Sequence, residues 1–338
     1  MKKKTTLGLA LIFVAGLAAC APAASIKAGS ASAEALVKLL PEATRGVVAI
    51  DVHRAMELAS VSKMLEANPA AKEKYDELVK LAGLDPAKDV YFFVLGLMGV
   101  PGATEPDGGF IVNLKYKKET LLAAVKQKAP EYREEVYSGV TVYSNLDGDD
   151  KQTTRAAFLD DSNIILGSDK GVKGIIDVFQ KKAGSVMKNP EMAAIIKKVD
   201  KEGLGWVAFS IPPELIAKGI AAQPQLKVLE GVKALTMSYD HRLAKYVADI
   251  RTMGGTEEQN KNLSQALTGL KSLGAMLGGQ EPAVGELMSA IEITSGKDFV
   301  RLYISVTDEL AEKLGKLAQA KAGEFIKINK GPAGEEKD

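Results

Sequence analysis

GVVAID (residues 46–51) is the stretch that decides the fold, because a short apolar run rich in Val and Ile is typical of a buried β-strand. A related stretch, GWVAFSI (205–211), occurs in the second half of the chain. Both stretches follow a short helical pattern and lead into another one. Three positions of the first stretch have identical counterparts in the second: Gly46, Val48 and Ala49 correspond to Gly205, Val207 and Ala208.

The patterns after the two strands come in the same order: a hairpin, a helix, a second hairpin and a last helix. In the first half these patterns lie at 90–97, 109–116, 117–128, 154–168 and 170–181, with an extra hairpin at 133–145; in the second half they lie at 232–240, 243–251, 257–277, 288–306 and 308–320. Short hairpin links predict mostly antiparallel pairing. The sequence therefore predicts an α+β fold of two tandem repeats, 34–200 and 201–328, each a sheet with helices packed on one face. A single irregular α+β domain is the alternative.

The first twenty residues, MKKKTTLGLALIFVAGLAAC, have the composition of a secretory signal peptide: a basic start, an apolar run and a small-residue end. The apolar run, 7–19, is shorter than the roughly 20 residues that a membrane-spanning helix needs. We therefore predict that 1–19 are removed from the mature protein. The alternative is an ordinary signal peptide cut after an A-x-A-like site such as 21–23.

The end of this segment, Leu17, Ala18 and Ala19 followed by Cys20, resembles the lipobox of bacterial lipoproteins. The resemblance implies that a dedicated peptidase recognises 17–19 and cuts before Cys20. It further implies that the thiol carries a diacylglycerol and the new amine a fatty acid such as palmitate. The expected location is the cell envelope, with the membrane contacted through this anchor. Ala21, where an Asp would favour the inner membrane, favours the periplasmic face of the outer membrane.

The segments that flank the body are small and polar. Residues 20–33 are interpreted as the lipidated cysteine and a flexible tether, about 20 Å long as a coil. The last stretch, NKGPAGEEKD (329–338), is predicted to be a disordered tail.

Composition excludes one class of partner and supports a large core. With 44 basic and 43 acidic residues, the chain lacks the positive charge from which nucleic-acid binding draws its affinity. A hydrophobic content of 46% is enough for a substantial core. The step Leu40–Pro41 followed by VVAIDV (47–52) resembles the start of the mature region in uncharacterised bacterial envelope proteins, a resemblance that implies no activity.

No catalytic residue, metal site or cofactor is predicted. His53 and His241 each lie beside an Asp and an Arg, so an acid–base pair across the repeats is one interpretation. The alternative places the first histidine at a helix start and the second in a hairpin turn. The acidic cluster Asp147, Asp149 and Asp150 departs from the calcium-loop spacing and is interpreted as a solvated turn.

The connection LGLMGVPGATEPDGG (95–109) places Leu97, Met98, Val100 and Pro101 among glycines, where turns usually carry polar residues. Such exposed apolar groups can mark a partner or membrane contact, so this loop is the candidate contact surface. The alternative is that the loop folds back over a sheet.

These observations favour a lipid-anchored envelope lipoprotein that acts as a non-enzymatic binding or assembly module without a cofactor. The alternative is a periplasmic carrier of a lipid or another apolar ligand, because helices such as 257–277 could roof a cavity over a sheet. A hydrolase of unknown substrate is the third hypothesis.

Overall fold

The computed structural model describes residues 32–99, 107–146, 154–279 and 281–329. The strands are β1 (Gly46–Asp51), β2 (Val90–Leu97), β3 (Gly108–Leu114), β4 (Arg133–Tyr137), β5 (Val140–Ser144), β6 (Arg155–Phe158), β7 (Asn163–Gly167), β8 (Gly205–Ser210), β9 (Ala234–Arg242), β10 (Lys245–Met253), β11 (Ile291–Ser295) and β12 (Phe299–Thr307). The helices are α1 (Ala33–Val37), α2 (Val52–Met56), α3 (Ala59–Ala67), α4 (Pro69–Ala82), α5 (Pro86–Asp89), α6 (Lys118–Lys128), α7 (Asp169–Phe179), α8 (Pro190–Lys198), α9 (Pro213–Ala222), α10 (Glu257–Leu277), α11 (Pro282–Ser289) and α12 (Asp308–Asn329). Two 3-10 turns, Val186–Lys188 and Pro224–Leu229, complete the described elements.

All of these strands form one antiparallel sheet in the order β11-β12-β10-β9-β8-β1-β2-β3-β7-β6-β5-β4. The α+β class with antiparallel pairing is thereby confirmed. A separate sheet for each half is wrong, because β1 pairs with β8 from Gly46 opposite Phe209 to Ile50 opposite Gly205. This pairing satisfies backbone groups that two isolated edge strands would leave open. From β1 outward the strands follow the order β2-β3-β7-β6, and from β8 outward they follow the matching order β9-β10-β12-β11. Duplication of the two halves stays a prediction.

The first face of the sheet carries the main core. Ala49, Val94, Ile111 and Ile165 lie opposite one another on β1, β2, β3 and β7, and none is more than 1% exposed. Helices α1, α7 and α8, with the turn that follows α1, cover them with fully buried side chains, among them Leu36, Leu40, Ile175 and Met192.

The second face is also covered by helices, so the expectation of one covered face is wrong. Helices α2 to α4 pack on it through a cluster that joins Val61 and Leu65 to Ile50. Farther along the sheet, Leu263 of α10 packs on Val300 of β12. The physical reason lies in GVVAID itself: both alternating sets of its side chains are apolar, as in a strand that is covered on both sides.

The hairpin turn between β9 and β10 differs from the predicted one. Asp240, His241 and Arg242 continue β9, and the turn is formed by Leu243 and Ala244, both with positive φ (52° and 56°). Asp240, His241 and Arg242 are polar, as turn residues usually are, whereas Leu243 and Ala244, which form the turn, are apolar.

Replacing this turn by the preferred pair, Leu243→Asn with Ala244→Gly, is expected to stabilise the protein by about 1 kcal/mol. The left-handed region is unfavourable for Leu and Ala, whereas Asn-Gly is the common choice for such two-residue turns. Leu243 is 96% exposed, so its loss removes little packing. The urea midpoint measures the gain, and a lower midpoint would contradict this account of the turn.

On the first face, strands β10 and β12 carry a cluster of charged side chains. Asp249 accepts hydrogen bonds from Arg251 (Nη2, 2.8 Å) and from Arg301 (Nη2, 2.9 Å). Burial opposes ionisation of Asp249, but the bonds from Arg251 and Arg301 outweigh it and lower the pKa of this carboxyl group.

Asp249→Asn is therefore expected to lower the free energy of unfolding by about 1 kcal/mol at pH 7. This is at the lower end of the cost of losing a charged hydrogen-bond partner, because the guanidinium groups of Arg251 and Arg301 still reach water. A carboxyl whose pKa is lowered by folding contributes stability above its unfolded pKa, and this contribution disappears as the pH falls through the folded pKa. The two proteins should thus converge in stability as the pH falls below the ordinary pKa of an aspartate, about 3.9. Urea unfolding at several pH values measures this, and a pH-independent difference would contradict it.

Candidate apolar binding site

The second face contains an open space between its two helical covers, which we call the apolar trough. It is lined by Val48, Ala49, Ile50, Ala55, Leu204, Gly205, Trp206, Val207, Met237 and Tyr239, and its cavity volume is about 80 Å³. This volume is below the roughly 300–1,000 Å³ that is usual for small-molecule sites, so a long ligand would have to extend from the trough along the neighbouring surface. The trough lies where β1, β8 and β9 meet, so both halves of the chain build it.

The floor of the trough continues across the sheet as a row of aliphatic side chains, which we call the apolar row. Its members lie directly opposite one another on successive strands: Val48, Val207, Met237, Ile250, Leu302 and Ile293. All of them are partly exposed, unlike the fully buried residues of the first face. Val207, Met237 and Ile250 lie between the cluster under α2 to α4 and the cluster under α10. The centre of the row is therefore a partly exposed aliphatic surface that belongs to neither cluster.

Gly205 deepens the trough at one end. It stands between Ile50 and Tyr239 in the neighbouring cross-strand row. Because glycine has no side chain, the floor is lower here than at Val207.

Helix α12 borders this face. Glu312 of α12 lies 3.9 Å from Lys63 of α3, and Lys313 lies 3.6 Å from Glu286 of α11. The start of α12 therefore lies between helices from the two halves. Its inward positions are apolar: Leu310 is buried, and Leu314 and Leu317 are partly exposed.

Charged groups cluster beside the Tyr239 end of the trough. Arg54 donates to the backbone oxygen of Glu202 (3.0 Å) and to Asp240 (3.4 Å), and Arg242 bonds to the same carboxylate. The hydrogen bond that Arg242 donates to the Asp240 carboxylate raises the pKa of Arg242. The trough thus has an aliphatic floor and a charged cluster next to one end.

The two histidines have separate structural partners. The imidazole of His53 lies 5.6 Å from the ring of Tyr91 and 3.8 Å from Glu57. His241 is buried and bonds to Asp308 at the start of α12. Each ring is thus engaged by its own neighbours, an arrangement that supports a structural role for both.

The candidate contact loop lies only partly within the described residues. Leu97 ends β2 opposite Gly46 and Gly108, and the amide of Met98 donates to Asp107. Both side chains are partly buried. Val100 and Pro101 lie outside the described residues, so the contact role of this loop stays a prediction.

The N-terminal features and the acidic cluster also lie outside the described residues. These are the signal peptide 1–19, the lipobox residues Leu17, Ala18 and Ala19, the lipidated Cys20, the tail from 330 to 338, and Asp147, Asp149 and Asp150. Among the residues that are described, no group of three His, Cys, Asp or Glu side chains could hold a metal ion. Within the same ranges, no helix is both long and apolar enough to cross a bilayer.

Sequence reasoning missed the residues of the trough. A signal was available in the strands themselves, since the even-numbered positions of β1 and β12 and positions 235, 237 and 239 of β9 are mostly apolar. That signal indicates a second apolar face. It does not indicate which strands are neighbours, and the row exists only because β1 pairs with β8.

The fold and the trough define a class: an α+β protein with one antiparallel sheet and an apolar surface between helices on its second face. Residues 112–266 match a family model described as a protein of unknown function, DUF3352. This match includes β8, β9 and β10, and with them the centre of the apolar row. No curated protein matches the chain.

Solved structures of TP0453 are similar to this chain. Crystal form III of TP0453 has 10% sequence identity and a TM-score of 0.50, with 87% of this chain and 100% of that chain covered. Crystal form I has 11% identity and a TM-score of 0.47, with coverage of 87% and 98%. At this level of identity, the likeness to crystal form III shows a shared fold.

Proposed function

We propose that this protein is a non-enzymatic, lipid-anchored component of the bacterial cell envelope that binds one acyl chain in the apolar trough. The observation that carries the proposal is the apolar row, a line of partly exposed aliphatic side chains across neighbouring strands. Of the functions considered from the sequence, the geometry favours the carrier of an apolar ligand over an assembly module that acts through the 95–109 loop.

The chemistry of the floor favours a saturated or nearly saturated chain. Val48, Val207, Met237 and Ile250 offer only aliphatic contact, with no hydrogen-bonding group to orient a polar ligand. Burial of apolar surface is the source of affinity in such a site, at about 0.8 kcal/mol for each methylene group.

The length of the row also fits an acyl chain. From Val48, which lines the trough, to Ile250, the last member before the cluster under α10, it crosses three inter-strand spacings of about 4.8 Å, or about 14 Å in all. One leaflet of a bilayer has a hydrocarbon thickness of about 15 Å, half of the roughly 30 Å core, and that is the reach of one acyl chain.

The charged cluster beside Tyr239 supports one orientation. A lipid head group at this end would lie near Arg54, which follows β1 in α2, while the chain runs along the row away from it. A polar group placed at the opposite end, under Leu263 of α10, would be buried among apolar side chains.

The anchor is supported by the lipobox resemblance of 17–20. Mass spectrometry of the protein purified from membranes is expected to find a mature chain that begins at Cys20 and carries a diacylglycerol thioether. A mature N-terminus at any later residue would contradict the anchor.

Ligand binding is tested with the mature chain from residue 20, made without residues 1–19 and carrying Cys20→Ser, which we call the unlipidated mature chain. Titration with a fluorescent 16-carbon fatty acid in detergent-free buffer is expected to saturate at one ligand for each chain. A four-carbon analogue with the same fluorophore is the control and should not bind, because the trough recognises the chain. Equal binding of both ligands, or of neither, would contradict the proposal.

A further inference from the structure

We propose that the apolar trough holds one acyl chain of the protein's own Cys20 lipid when the protein is away from a membrane. This inference rests on the proposed function, in both its anchor and its trough. It names the first ligand of the site as a part of the same molecule.

The first supporting observation is the location of Ser32, where the described chain begins. Ser32 caps α1, and Glu34 in the first turn of α1 pairs with Lys201 at 2.7 Å. The hydrogen bond from Lys201 lowers the pKa of Glu34. The start of the body is thereby fixed beside the segment that leads into β8.

That segment leads directly to the trough. Leu204 lines the trough, and its backbone oxygen accepts a hydrogen bond from the amide of Asp51 at the end of β1. The start of α1 and the Leu204 end of the trough therefore lie at the same end of the central strands. Ser32, where the described chain begins, therefore lies near the end of the sheet to which the Leu204 end of the trough also belongs.

The chain outside the described residues is long enough to bridge the remaining distance. Ser32 lies twelve positions after Cys20, so the chain between them spans up to about 40 Å at roughly 3.4 Å per position. An acyl chain on Cys20 can thus reach the Leu204 end and lie along the row. Its attachment makes it an intramolecular ligand with an effective concentration in the millimolar range, above that of any free fatty acid.

The test compares the lipidated protein purified from membranes with the unlipidated mature chain, both in detergent-free buffer. The probe is the fluorescent 16-carbon fatty acid. We expect the unlipidated chain to bind one probe and the lipidated protein to bind it at least 20-fold more weakly. Met237→Trp, which fills the trough, should abolish probe binding in both forms.

A second readout needs no added ligand. Cys20 is the only cysteine of the chain, and its thiol is blocked once it is lipidated, so Val207→Cys provides a single reactive thiol in the row. Maleimide should modify this thiol at least 10-fold more slowly in the lipidated protein than in the unlipidated chain. Leu243→Cys, on the exposed turn, should react equally in both.

The outcomes separate the two proposals. Equal probe binding and equal thiol reactivity in the two forms would overturn the inference and leave the acyl-binding function intact. Failure of the unlipidated chain to bind the probe would overturn the acyl-binding function, and the inference with it. Weak binding by the lipidated protein together with a protected thiol at position 207 would support both.

Discussion

Met237→Asp is expected to weaken acyl-chain binding by the unlipidated mature chain at least about 100-fold, equivalent to about 2.8 kcal/mol. Met237 lies at the centre of the apolar row, between Val207 and Ile250. A bound chain would remove the new carboxylate from water without offering it a partner, which is costly. Titration with the fluorescent 16-carbon fatty acid measures the change.

The matched control is Leu243→Asp, which introduces the same charge at a residue that is 96% exposed and remote from the trough floor. It should leave affinity unchanged. Because Met237→Asp could also lower stability, Met237→Trp serves as a second block that adds apolar volume instead of charge. Undiminished binding by both Met237 variants would contradict the assignment of the trough as the site.

Ile165→Ala is expected to lower the free energy of unfolding by about 3–4 kcal/mol, more than any other substitution considered for stability. Ile165 is fully buried on the first face, opposite Ile111 and in the cluster that includes Ile175 of α7. The surrounding strands are fixed by the sheet, so the cavity left by truncation cannot collapse completely.

Ile164 provides the matched control, since it is the same residue type, one position earlier on β7, and points to the second face. It is only partly buried. Ile164→Ala should therefore cost clearly less, about 1–2 kcal/mol. The urea midpoints of the two variants measure the difference, and equal losses would contradict the distinction between a fully packed first face and a more open second face.

Local features of the sequence predicted the elements well. The strand 46–51, the strand 90–97 and the helix 257–277 have the predicted bounds. In each case the pattern is strong and its ends are marked, as by the capping box of Thr256 and Gln259 at the start of α10. The β9–β10 turn was misplaced because Asp240 and His241 resemble turn residues while Leu243 and Ala244 do not.

The arrangement of the elements could not be predicted in the same way. Pairing of β1 with β8 joins segments that are far apart in the chain, and no local pattern specifies such a partner. Without that pairing, Val48 and Val207 belong to different sheets and the apolar row does not exist. The candidate site was therefore inaccessible to sequence reasoning, although the apolar character of its individual residues was visible.

The most direct test of the trough is to locate a bound chain by photo-crosslinking. The unlipidated mature chain is irradiated with a 16-carbon fatty acid that carries a diazirine at mid-chain, and the modified peptides are identified by mass spectrometry. The account predicts modification on β8, β9 and β10, around Val207, Met237 and Ile250, and its loss in Met237→Trp. Modification confined to the exposed residues Leu270, Leu273 and Met276 of α10 would contradict the account.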